Sequence, residues 1–130
     1  MPATILVVDD EPDLELLVSH KFRRQIRNGV YSFLFAGDGE QALGVLRESP
    51  TVDLILSDIN MPRMDGLTLL RKLKAVDAEL RAIVVSAYGD MANIRTAMNL
   101  GAVDFVTKPI DFEGLTATIE RTLDDLGKPR

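Results

Sequence analysis

Residues 4–12 read TILVVDDEP. The first five are rich in β-branched side chains, which suits a buried strand. Asp9, Asp10 and Glu11 follow, and a helical pattern then starts at Pro12, an early position that tolerates proline. Across residues 12–26, Leu14, Leu17, Val18 and Phe22 fall on one side of a helical wheel. Strand, acidic turn and helix make one βα unit.

The same unit recurs outward along the chain. Residues 31–36 (YSFLFA) form a second strand with Tyr31, Phe33 and Phe35 on one face. A turn at Gly37-Asp38-Gly39 leads into a helix over 40–47 carrying Ala42, Leu43 and Leu46. Residues 52–57 (VDLILS) form strand three, Pro62 and Gly66 bracket a loop, and a helix covers 67–75. Strand four is 82–86 (AIVVS), followed by a helix over 91–100 that Gly101 closes. Strand five is 103–107. The last helix spans 112–126, with Phe112, Leu115, Ile119, Leu123 and Leu126 in one stripe. Helices that link successive strands make those strands parallel, and right-handed crossovers place helices on both faces of the sheet. The expected fold is a doubly wound α/β sandwich with five parallel strands.

Composition bounds the function. A chain of 130 residues fits one domain. The expected boundaries are a domain over 1–126 and a tail or linker start over 127–130. There is no cysteine and a single histidine, His20, so thiol chemistry and multi-histidine metal sites are excluded. A net charge of −5 disfavours sequence-independent nucleic-acid binding. No apolar run approaches the ~18 residues of a membrane span. Residues 1–8 lack a basic segment and a cleavage site. A cytoplasmic protein with no membrane partner is expected.

In a parallel sheet, ligands bind at the carboxyl ends of the strands. Here those ends carry Asp9, Asp10 and Glu11, then Asp58, then Ser86, then Lys108-Pro109. Like carboxylates at ~4 Å repel by about 4 kcal/mol per pair at an effective dielectric of ~20. Such a cluster protonates, spreads or holds a cation. An all-oxygen set with open positions suits Mg²⁺, which keeps waters and takes phosphate oxygens. Three aspartates, one lysine and a divalent ion come near neutrality, leaving room for an anion. A carboxylate there can attack phosphorus and become an aspartyl phosphate.

Four segments, ILVVDDEP at 5–12, DINMPRMDG at 58–66, SAYGD at 86–90 and GAVDFVTKP at 101–109, occur in order at the strand ends. Together they resemble the receiver domain of bacterial two-component response regulators over nearly the whole chain. The resemblance implies strand order 2-1-3-4-5. It implies Asp58 as phosphoacceptor and Mg²⁺ on Asp9, Asp10, Asp58 and the backbone carbonyl of Asn60. Ser86 becomes the hydroxyl that moves toward the phosphoryl group, Lys108 its ion-pair partner and Phe105 a rotating aromatic. The Lys108–Pro109 bond is expected cis, and Asn60 and Tyr88 tune the phosphoryl lifetime. Implied partners are a sensor histidine kinase or phosphotransfer protein and an output protein or fused C-terminal domain. The fourth helix, fifth strand and last helix form the responsive surface, and the chain is a monomer or a phosphorylation-dependent dimer. The resemblance makes the domain a switch that assists its own phosphorylation and dephosphorylation, rather than a turnover enzyme.

Other readings fit less well. A haloacid-dehalogenase-type phosphatase carries Asp-x-Asp after strand one, whereas Asp9 and Asp10 are adjacent. A flavin mononucleotide binder needs a hydroxyl- and glycine-rich phosphate loop where this chain is acidic. A degenerate receiver lacks an acid or the lysine. Asp10 alone reads equally as a helix cap, and Ser86 as a strand-end cap. Asp38 reads as a turn or cap for the second helix, and Asp65 and Gly66 as shaping the loop into the third. His20 lies on a basic helix face with Leu16, Arg23 and Arg27, read as a solvated helix end or a kinase-docking face.

Overall fold

The computed structural model describes residues 2–49, 51–61, 64–77, 80–87 and 89–125, with Lys74 described by its backbone alone. Five strands, β1 (Ala3–Val8), β2 (Tyr31–Ala36), β3 (Leu54–Asp58), β4 (Arg81–Ala87) and β5 (Asp104–Lys108), form one parallel sheet ordered β2-β1-β3-β4-β5. The helices are α1 (Pro12–Lys21), α2 (Arg23–Arg27), α3 (Gly39–Glu48), α4 (Gly66–Val76), α5 (Met91–Asn99) and α6 (Phe112–Asp125). The doubly wound order follows the expectation from sequence.

Alternation along each strand splits the core in two. Ile5, Val7, Leu54, Leu56, Ile83 and Val85 face Val18, Phe22 and the α6 stripe Leu115, Ile119 and Leu123. Leu6, Val8, Ile55 and Val84 face Ala42 and Leu46 of α3, Leu69, Leu70 and Leu73 of α4, and Ala97 of α5. Both faces are therefore covered, as a parallel sheet requires.

The first helix departs from expectation. One helix over 12–26 is instead two, meeting at Phe22 with φ −104° and ψ 16°. The backbone ladder passes through, because Phe22 donates to Val18 O and Ile26 donates to Phe22 O, both at 2.9 Å. Phe22 is buried against Tyr31, Phe33 and Phe112, with ring centroids 5.2–6.1 Å apart. Packing of this ring sets the local backbone. Leu17, expected on the buried side, is 42% exposed, while Val18 and Phe22 carry the contact. The wheel places Leu16 correctly, at 73% exposure beside an exposed His20.

Several caps place the loops around the strand ends. Asp38 accepts from the Gln41 N–H at 2.9 Å and caps α3; Asp65 accepts from the Thr68 N–H at 2.8 Å and caps α4. Each bond satisfies an otherwise unpaired first-turn donor. Gly101, in the left-handed region at φ 105°, closes α5.

Candidate functional site

β1 and β3 are adjacent, so their carboxyl ends bring Asp9, Asp10 and Asp58 together. One carboxylate oxygen from each lies within 4.8 Å of the others. Asp9 belongs to a tight turn after β1, with Oδ1 accepting from the Glu11 N–H at 2.9 Å. Glu11, not Asp10, occupies the N-cap of α1 and makes no side-chain cap bond. The capping reading of Asp10 is thereby corrected: its exposed carboxylate stands at the cluster instead. The spacing and all-oxygen chemistry of this set fit a hard divalent cation.

Asp58 ends β3 and is only 5% exposed. Its Oδ1 accepts from the Asn60 N–H at 3.2 Å, and its Oδ2 accepts from Lys108 Nζ at 3.0 Å. Lys108, at the end of β5, spans the cluster. Its Nζ also lies 3.0 Å from Glu11 Oε1 and 3.5 Å from Asp9 Oδ2. A single ammonium thus offsets part of a negative site.

The electrostatics follow from this packing. Burial pushes the Asp9 carboxyl above its ordinary range. The Glu11 N–H opposes that rise, the Asp58 charge adds to it, and Lys108 offsets only part. For Lys108, burial works against the charge. Hydrogen bonds to Asp58 and Glu11 and the charges of Asp58 and Asp9 outweigh it, and the ammonium is held above its usual range.

Ser86 lies one residue beyond Val85, the β4 neighbour of Asp58, and its side chain is fully buried. Its hydroxyl donates to Asp90 Oδ2 at 3.1 Å, away from the carboxylate cluster. Phe105 sits on β5 at 38% exposure, its N–H bonded to the Asp104 side chain. The Lys108–Pro109 bond is cis. Tyr88 lies outside the described residues, as do Pro62 and Leu126.

Three partners were not read from sequence: Glu11 on Lys108, Asp90 on Ser86, and Arg121, which bonds Asp104 at 2.7 Å. Glu11 and Lys108 are 97 residues apart, so only the fold pairs them. The available signal for Asp90 was an aspartate opening a helix four residues after the hydroxyl.

A cleft of about 300 Å³ flanks the cluster, lined by Asp9, Asp10, Glu11, Phe35 and Gln41 among others. It opens the acidic side of the site to solvent.

The response regulator receiver domain family model matches residues 5–120. Curated relatives include sporulation initiation phosphotransferase F of Bacillus subtilis, 32% identical over 95% of both chains. Chemotaxis protein CheY of the same organism is 35% identical over 95% of this chain and 100% of the relative. Transcriptional regulatory protein ZraR of Escherichia coli is 36% identical, and this chain spans about a quarter of its length (26%). Among solved structures, the receiver domain of NtrX from Brucella abortus matches with a TM-score of 0.81 and 32% identity, covering 92% of this chain and 98% of that one. A receiver domain protein from Clostridium thermocellum matches with a TM-score of 0.86 and 25% identity, over 96% and 97% of the two chains. Family model, full-length relatives and sheet order agree, and the chain belongs to the response regulator receiver domain family, the phosphorylation-dependent switches of two-component signalling.

Proposed function

We propose that Asp58 is the residue that takes the phosphoryl group. The observation that carries this reading is the Asp58 carboxylate at the end of β3, nearly buried, bonded to Lys108 and grouped with Asp9 and Asp10. Receiver domains generally bind Mg²⁺ at an acidic pocket, and this donor set fits it. Asp9, Asp10 and Asp58 would hold the ion, with the Asn60 carbonyl as a further ligand. When bound, Mg²⁺ supplies positive charge against the phosphoryl oxygens.

The chain's own groups do the rest. A carboxylate oxygen of Asp58 forms the bond to phosphorus as the bond between phosphorus and the donor's imidazole nitrogen breaks. The imidazole leaves with that electron pair and takes up a proton. Lys108, already placed at Asp58 Oδ2, pairs with the transferred phosphoryl oxygens. The Ser86 hydroxyl then donates to one of them, and Phe105 repacks. Hydrolysis by water returns the free carboxylate, with Asn60 and Tyr88 governing water's access. The domain in this way assists its own phosphorylation and dephosphorylation.

The donor is a sensor histidine kinase or phosphotransfer protein. The responsive surface is α5, β5 and α6, which controls an output protein or fused domain, as a monomer or a phosphorylation-dependent dimer. Residues 1–126 would be the receiver unit and 127–130 a tail or linker start. Among the described residues no helix is long and apolar enough to cross a membrane, in keeping with a cytoplasmic setting.

Intact mass after incubation with acetyl phosphate tests this reading. One added phosphoryl group is expected with Mg²⁺, and none in EDTA or in Asp58→Asn. Addition that survives in Asp58→Asn would overturn it.

A further inference from the structure

Ser86 carries a buried hydroxyl, and buried hydroxyls are bonded. Its Oγ donates to Asp90 Oδ2 at 3.1 Å, and the same oxygen accepts from the Asn93 amide at 3.0 Å. Asp90 stands at the N-cap of α5, where a carboxylate ordinarily accepts from first-turn backbone. Asp38 and Asp65 do this on α3 and α4. Asp90 makes no side-chain cap bond. Its Oδ2 is engaged instead by the side chains of Ser86 and Asn93.

We propose that Asp90 is a positioning residue of the switch: it holds the Ser86 hydroxyl on the α5 side and opposes its transfer to a phosphoryl group on Asp58. The proposal rests on the reading of Asp58 given above. A serine hydroxyl has one hydrogen to donate, so the bond to Asp90 and a bond to a phosphoryl oxygen exclude each other. Ser86 must leave Asp90 to complete the switched state. Departure removes one of the two side-chain donors on Asp90 Oδ2, which couples the hydroxyl to the start of the helix bearing the exposed Met91 and Met98. The Asn93 side chain first, then Ser86 and the Asn93 backbone N–H, outweigh burial and hold the Asp90 carboxyl below its ordinary range, so the acceptor is charged at neutral pH. A hydrogen bond to a charged acceptor shifts an equilibrium by about tenfold. By linkage, ligands that need Ser86 displaced bind more weakly by that factor.

Fluoroberyllate titration of the full chain in saturating Mg²⁺, followed by amide chemical shifts, tests this. Asp90→Ala should tighten binding about tenfold. Asp90→Asn, which keeps an oxygen but loses the charge, should give a smaller gain. The gain should vanish when Ser86→Ala is present, because no hydroxyl remains to be released. Unchanged affinity in Asp90→Ala overturns the proposal. So does an equal change with and without Ser86, which would mark a purely structural effect on α5. Failure of the wild type to bind fluoroberyllate would instead strike the reading of Asp58. The Asp90–Ser86 bond is then decided by the carboxyl ¹³C titration of Asp90. Its midpoint rises in Ser86→Ala if the hydroxyl is engaged there, and an unmoved midpoint overturns the proposal.

Discussion

Asp9 and Lys108 define the site's charge problem at the scale of single residues. Asp9 binds its proton more tightly in the folded chain than in the unfolded one, because of burial and the nearby Asp58. Ionised Asp9 therefore costs the metal-free fold stability at neutral pH. That cost declines as pH falls through the raised pKa and is gone below the ordinary carboxylate range. Asp9→Asn should accordingly melt higher than wild type in EDTA at neutral pH, with the gap closing in acid. It should also lose the stabilisation expected from Mg²⁺ in the wild type. Thermal melts across pH, with and without Mg²⁺, measure both effects.

Lys108 acts in the opposite sense. Its ammonium bonds Asp58 and Glu11 and lies beside Asp9, where it competes with any cation. Lys108→Ala should destabilise the metal-free chain by about 1–3 kcal/mol, the scale for leaving a buried polar partner unsatisfied. Mg²⁺ affinity should rise at the same time, read by calorimetric titration. Weaker Mg²⁺ binding in this variant would contradict the assignment of Lys108 as the site's own counter-charge. The acids and the lysine were legible in the sequence because each directly follows a strand. Glu11 as a partner of Lys108 was not, since that pairing needs β1 and β5 brought to one edge.

At the scale of elements, the loop from β3 to α4 depends on Gly66. A Cβ there would stand 2.3 Å from the Asp58 carbonyl oxygen and 2.8 Å from Ile59 Cα. The conflict is with backbone, which cannot rotate away. Gly66→Ala should cost about 3 kcal/mol and displace Asp58. Denaturant melts and acetyl phosphate labelling should fail together. Loss of the caps is milder: Asp38→Ala and Asp65→Ala should each cost about 1 kcal/mol. The sequence marked both residues at loop entries, and the structure gives each its backbone donor.

The first helix shows where periodicity stops informing. Residues 12–26 keep a helical pattern throughout, and the backbone ladder does continue across Phe22. The distortion comes from ring packing with Tyr31, Phe33 and Phe112, partners from β2 and α6 that no local window contains. Leu17 is exposed as well, while Val18 and Phe22 are buried. Asp90 differs: it lies four residues from Ser86, within a local window, but its bond depends on where β4 ends and α5 begins.

Across the whole molecule, right-handed crossovers cover both faces of the sheet, and the strand order comes from the resemblance to a receiver. The strands were readable because they are short, apolar runs between turn signals; the order itself came from the resemblance, since periodicity carries no strand neighbours. On the proposed function, output runs through the surface of α5, β5 and α6. α5 exposes Met91 and Met98, the link to β5 exposes Val103 and β5 exposes Phe105, and the Asp104–Arg121 bridge joins β5 to α6. Fluoroberyllate with Mg²⁺ should alter amide hydrogen exchange in α5 and β5 more than in α3, which packs on β1 and β2, whereas Ser86 lies on β4. Uniform change over the fold would indicate general stabilisation instead of a switched surface.

The most direct measurement is chemical trapping of the phosphorylated residue. The chain is incubated with acetyl phosphate and Mg²⁺, reduced with borohydride and digested for peptide mass mapping. An acyl phosphate at Asp58 becomes homoserine at position 58, and that conversion is expected there and at no other acid. Homoserine at Asp9 or Asp10, with Asp58 untouched, would contradict it.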